Sequence, residues 1–78
     1  LVYFRNGEFE KCIDACKKAL AIDPSSAVAY NNICSAYNNL HKWDEAIEAG
    51  NKAIQLQPDF ALAKNNLSFA LAQKATKK

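Results

Sequence analysis

The sequence predicts an all-α chain built from a repeated pair of helices. The chain aligns with itself at many positions when shifted by 34 residues. Within each copy the apolar residues recur at the spacing of one helix face. The two prolines stand where helices would end.

The alignment pairs Pro24 with Pro58, Ala19 with Ala53, Leu20 with Ile54, Tyr3 with Tyr37, Ile13 with Ile47 and Lys18 with Lys52. It continues through Ala27 with Ala61, Ala29 with Ala63, Asn31 with Asn65, Asn32 with Asn66 and Ala36 with Ala70. Conservative pairs fill the gaps, such as Phe9 with Trp43 and Ile33 with Leu67.

The first predicted helix spans residues 9–22, preceded by a break at Asn6-Gly7 and stopped by Pro24. Ser25 is placed to cap the next helix, over residues 27–40. At 100° per residue, Ala29, Tyr30, Ile33, Cys34, Ala36, Tyr37 and Leu40 share one face of it. Asn31, Asn32, Ser35, Asn38 and Asn39 share the other. His41-Lys42 breaks the pattern, and His41 is strained if that turn needs a positive φ.

A third helix is expected over residues 43–56, burying Trp43, Ala46, Ile47, Gly50, Ala53 and Ile54. Its acidic first turn suits the helix dipole, and Glu48 can pair with Lys52. Pro58 stops it, Asp59 is placed as the next cap, and a fourth helix covers residues 61–74.

Composition bounds what such a chain can do. Seventy-eight residues make one small domain, half of it apolar. The net charge of +2 is small and falls largely on Lys74, Lys77 and Lys78, which predicts no nucleic-acid face. No apolar run approaches membrane-spanning length, so no membrane partner is expected. Nor is a signal peptide evident. Three cysteines without framework spacing lean towards reduced thiols and a cytoplasmic setting.

These motifs resemble the tetratricopeptide repeat family. The family pattern is W-x2-L-G-x2-Y, then A-x3-F, then proline. Here the corresponding run is Tyr30-x2-Ile33-Cys34-x2-Tyr37, then Ala46-x3-Gly50, Ala53 and Pro58. The resemblance covers essentially the whole chain as a single domain. Residues 1–26 form a partial first repeat, mainly its second helix, and residues 27–60 a complete one. Residues 61–78 supply the first helix of a third repeat or a capping helix, with a basic tail. It implies a right-handed superhelical stack of antiparallel helix pairs, a fragment of an α-solenoid. Cys34 replaces the family's usual glycine with another small residue. Gly50 stands where a large aromatic is usual, which should leave room and weaken the helix by roughly 1 kcal/mol relative to alanine.

In this family the first helices of successive repeats line a concave groove that holds ligands. The resemblance therefore implies a groove lined by Asn31, Asn32, Ser35, Asn38 and Asn39 in the middle repeat. Leu62, Asn65, Asn66, Phe69 and Gln73 would continue it. An asparagine amide both donates and accepts, so Asn32 and Asn66 are expected to form a ladder along a peptide backbone. Phe69 would serve as an aromatic anchor or pack on a neighbour. A clamp for a terminal carboxylate, as in chaperone-binding members, is disfavoured because Leu62 and Asn66 stand where positive charge is needed.

The implied function is a scaffold binding an unknown protein or peptide. One alternative is a self-assembly segment, with Leu1, Val2, Tyr3 and Phe4 packing on another copy as a homo-oligomer. Another is an accessory repeat region of a larger protein such as a glycosyltransferase. No catalytic constellation, cofactor or metal is expected. Cys12 and Cys16 lie at i,i+4 on the apolar stripe, and Cys34 fills the small packing slot, so all three read as core thiols rather than zinc ligands. Asn66-Leu67-Ser68 matches a glycosylation sequon but falls in mid-helix.

Overall fold

A computed structural model describes residues 6–76. Leu1, Val2, Tyr3 and Phe4, expected to need a covering surface, lie outside the described residues, as do Lys77 and Lys78 of the basic tail. The chain folds into α1 (Asn6–Ile22), α2 (Ala27–Asn39), α3 (Trp43–Leu56) and α4 (Ala61–Thr76). Every other helix packs on α2, and α3 also packs on α4. The result is a solenoid-like stack of helical hairpins, with no strand among the described residues. None of these helices is long and apolar enough to cross a membrane.

Both proline turns follow one plan. α1 and α3 end two residues before Pro24 and Pro58, because proline disfavours helical backbone in the residue it follows. The cap of α2 is Ser26, not Ser25 as expected: its hydroxyl accepts the Ala29 N–H at 3.1 Å. Ser25 bonds instead to Asp23 Oδ1, through its hydroxyl at 2.9 Å and its N–H at 3.2 Å. The turn after proline needs one more residue before the helix begins. One repeat later the Lys64 N–H donates to the Phe60 carbonyl, so Phe60 holds the cap position expected of Asp59. Phenylalanine has no side-chain oxygen to cap with.

The turn between α2 and α3 is a Schellman motif. The His41 N–H donates to the Asn38 carbonyl at 3.1 Å, and the Lys42 N–H to the Tyr37 carbonyl at 2.9 Å. His41 takes φ 61°, in the left-handed region, and is the only non-glycine residue to do so among those described. The equivalent break expected at Asn6-Gly7 does not form, since both residues belong to α1. Among the described residues no helix packs ahead of α1 to demand a reversal there, so helical hydrogen bonding runs through.

The core is made of small residues at the helix crossings. Cys34, Ala46, Ala53, Ala63 and Ala70 are fully buried, joined by Ile13, Ile33, Ala36 and Ala49. Phe9, Leu20, Tyr37, Leu40, Trp43 and Ile47 close over this cluster. Asp44, Glu45, Glu48 and Lys52 stay exposed as expected. Glu48 and Lys52 do not pair; Asp44 pairs with Lys74 of α4.

Gly50 overturns the expectation of spare room. A Cβ built there would lie 3.0 Å from the Leu67 Cβ and 3.3 Å from both the Cys34 Sγ and the Leu67 Cδ1. The volume an aromatic would fill is taken by α4 itself. Gly50→Ala removes a helix penalty of roughly 1 kcal/mol but adds an overpacking cost of roughly 1–3 kcal/mol. We expect net destabilisation by urea unfolding, whereas a stabilised variant would show that α4 yields freely. At the Schellman turn, His41→Gly is expected to be more stable than His41→Ala by about 1 kcal/mol, because both lose the ring but only glycine relieves the left-handed backbone.

Candidate functional site

α2 carries two polar stripes rather than one. Asn31 and Asn38, seven residues apart and so nearly eclipsed, face α4 and are buried. Asn32 and Asn39 face solvent, with Ser35 half-buried between them. The expectation that all five open onto a groove is thus corrected for Asn31, which α4 covers, while Asn38 is largely buried but borders the cleft between α2 and α4. The repeat sets α4 directly beside α2, and one edge of the polar face is covered.

The covered asparagines form a network. Asn66 Nδ2 donates to Asn31 Oδ1 at 2.8 Å, and Asn38 Nδ2 donates to the Asn66 carbonyl at 3.0 Å. Asn66, expected as a ladder rung beside Asn32, therefore has its amide engaged within the fold. The same bond occupies the amide of the sequon. Asn38 Oδ1 is the one buried side-chain oxygen or nitrogen among the described residues left without a partner. Asn39 Nδ2 bonds back to the Ser35 carbonyl at 2.9 Å, whereas the exposed Asn32 of this face makes no side-chain hydrogen bond within the described residues.

A cleft of about 580 Å³ opens between the C-terminal half of α2 and α4. Ser35, Asn38 and Asn39 line it from α2, and Asn66, Phe69, Gln73 and Thr76 from α4. His41 and Trp43 form its end wall. The His41 ring stacks on Trp43 with centroids 5.2 Å apart and planes at 19°. Phe69 meets Trp43 edge to face at 5.8 Å and 73°, keeping about half its surface (49%) exposed. Aromatic pairs favour these arrangements and distances.

Asn32, Leu62 and Asn65 lie outside the cleft, on exposed surface. Val28, which sequence reasoning missed, is 57% exposed, and Leu62, one repeat later, 63%. Their pairing lies in the self-alignment between Ala27 with Ala61 and Ala29 with Ala63. His41, Trp43 and Thr76 were missed as lining residues because their place depends on how α3 meets α4.

Among the described residues, His41 is the one ionisable side chain lining the cleft. None of its lining side chains is a carboxylate, lysine or arginine. Asp44 and Lys74 pair with each other just outside it. No general acid stands opposite a base there, and no group of three metal-ligating side chains occurs among the described residues. The arrangement is suited to holding a ligand by ring contacts and amide hydrogen bonds.

The thiols separate by burial. Cys12 is exposed, contrary to expectation, because among the described residues α1 packs on α2 alone and leaves that flank open. Cys16 is half-buried, and burial beside Cys12 raises its pKa. Cys34 is fully buried, and burial pushes its pKa from 9.0 to about 11 against a lowering hydrogen bond from the Gly50 backbone. A maleimide at neutral pH is expected to label Cys12 first, Cys16 more slowly and Cys34 only on unfolding. The raised folded pKa means that Cys34 contributes stability below 9.0 that is lost as pH rises towards about 11. The fall in melting temperature over that window should be shallower in Cys34→Ala.

The profile of the tetratricopeptide repeat family matches residues 1–26 and 27–60. A comparison with curated proteins finds no match.

Proposed function

The chain belongs to the tetratricopeptide repeat family, whose repeats mediate protein–protein interaction, and from that premise we propose that it holds a partner segment along the face shared by α2 and α4. The observation that carries this reading is the pair Val28 and Leu62. They are large apolar residues at equivalent positions of successive repeats, both more than half exposed. Asn32 lies one turn beyond Val28 and is exposed beside them. The face then runs into the cleft at Phe69.

A peptide lying on this face would bury Val28 and Leu62, each worth roughly 1.5–3 kcal/mol when fully covered. Asn32 would hydrogen-bond to its backbone without selecting sequence. Asn66 would contribute by fixing α4 against α2 rather than by touching the ligand. In this reading α4 is the first helix of a third repeat, and the family's typical role as a non-catalytic scaffold applies.

The test is selection of peptides from a random displayed library on the immobilised chain, followed by titration against Asn32→Ala/Leu62→Ala. Both positions are exposed, so circular dichroism should be unchanged. The selected peptides are expected to lose at least about tenfold in affinity, equivalent to about 1.4 kcal/mol. Equal affinity for the native and doubly substituted chains would overturn the groove reading.

A further inference from the structure

We propose that the cleft at the His41–Trp43 turn is a side-chain pocket for tyrosine or tryptophan, an uncharged ring bearing a hydrogen-bond donor. This rests on the groove reading, since the residue would belong to a partner segment lying across α2 and α4. The ring surfaces, the charge and one unpaired atom converge on that chemistry.

Phe69 offers a half-exposed ring held edge-on to Trp43 at 5.8 Å, and His41 backs Trp43 at 5.2 Å. A third aromatic inserted beside Phe69 would join an arrangement already at favourable ring spacings. The volume of about 580 Å³ admits such a side chain together with its flanking backbone.

Charge narrows the ligand. A lysine, arginine or carboxylate entering the cleft would lose water, and the lining offers no carboxylate, lysine or arginine to pair with it. Beside the His41–Trp43 wall, Lys74 and Asp44 pair with each other, and Lys42 and Glu45 stand there as a further charge of each sign.

The unpaired acceptor narrows it further. Asn38 is 7% exposed, its Nδ2 is engaged by the Asn66 carbonyl, and its Oδ1 has no partner. Leaving a buried acceptor unpaired is costly, and a ligand that supplies a donor removes that cost. Phenylalanine or proline would fill the space and leave Asn38 Oδ1 as it is. A tyrosine O–H or an indole N–H would satisfy it, given a small opening movement of the α2 and α4 side chains over it. Sites built to pair a ligand's hydroxyl discriminate against the analogue that lacks it.

The probes are the N-acetyl amides of tyrosine, tryptophan, phenylalanine, lysine and aspartate, titrated into the isotope-labelled full chain and followed by NMR. The tyrosine and tryptophan probes are expected to shift the Trp43 indole and Asn38 amide signals and to saturate. Their affinity should exceed that of the phenylalanine probe by at least about fivefold. The lysine and aspartate probes should leave those signals unmoved. Phe69→Leu should weaken the tyrosine probe by about fivefold or more with unchanged helicity; if that variant unfolds, the native titrations alone decide. Equal affinity for tyrosine and phenylalanine, binding of the charged probes, or shifts away from the cleft would overturn the proposal. If library peptides still depend on Asn32 and Leu62 in that case, the pocket fails and the groove stands. If no peptide depends on those residues either, both fail.

Discussion

The close meeting of Cys34, Gly50 and Leu67 is the constraint from which the rest of the structure follows. At this point α2, α3 and α4 approach so closely that a single methyl group on Gly50 would press on both neighbours. Dense interiors transmit such constraints, since side chains in close contact have few alternative arrangements. The approach of α4 brings Phe69 onto Trp43 and closes the cleft from one side. It also covers Asn31 and Asn38. A residue that looks like a defect in the repeat pattern is therefore where the last helix seats.

The asparagine network complements that apolar contact. Dispersion and burial hold α4 near α2 but select its register weakly, because alanine surfaces slide with little penalty. The bonds from Asn66 to Asn31 and from Asn38 to the Asn66 carbonyl specify one register. A shift of one turn would leave several buried polar groups unpaired, each at roughly 1–3 kcal/mol. Even in the native register Asn38 Oδ1 stays unpaired. Natural proteins tend to tolerate such incompletely satisfied polar groups where function requires them.

Much of the architecture was legible because repetition and helical periodicity are local properties. α3 has the predicted limits, and α2 and α4 differ from prediction only at their C-terminal ends. His41, expected to be strained if its turn needed a positive φ, takes φ 61°. Where local chemistry offered near-equal options, the reading slipped: Ser25 and Ser26 are adjacent capable caps, and only the turn geometry chooses Ser26. The break expected at Asn6-Gly7 failed for a related reason, as a helix reversal depends on what packs against it.

The candidate site was less legible. A polar helix face read from sequence does not reveal which of its residues a neighbouring helix will cover. Asn31 and Asn32 are adjacent in the chain and chemically identical, yet one is buried in the fold and the other faces solvent. The sequence by itself determined the helices, their pairing and the repeat, because these depend on spacing along one chain. Only the tertiary structure decided which asparagines remain on the surface, that a side chain at Gly50 would press on Leu67 and Cys34, and that His41, Trp43 and Phe69 border one cleft. Those outcomes depend on distances between helices, set by packing among residues far apart in the chain.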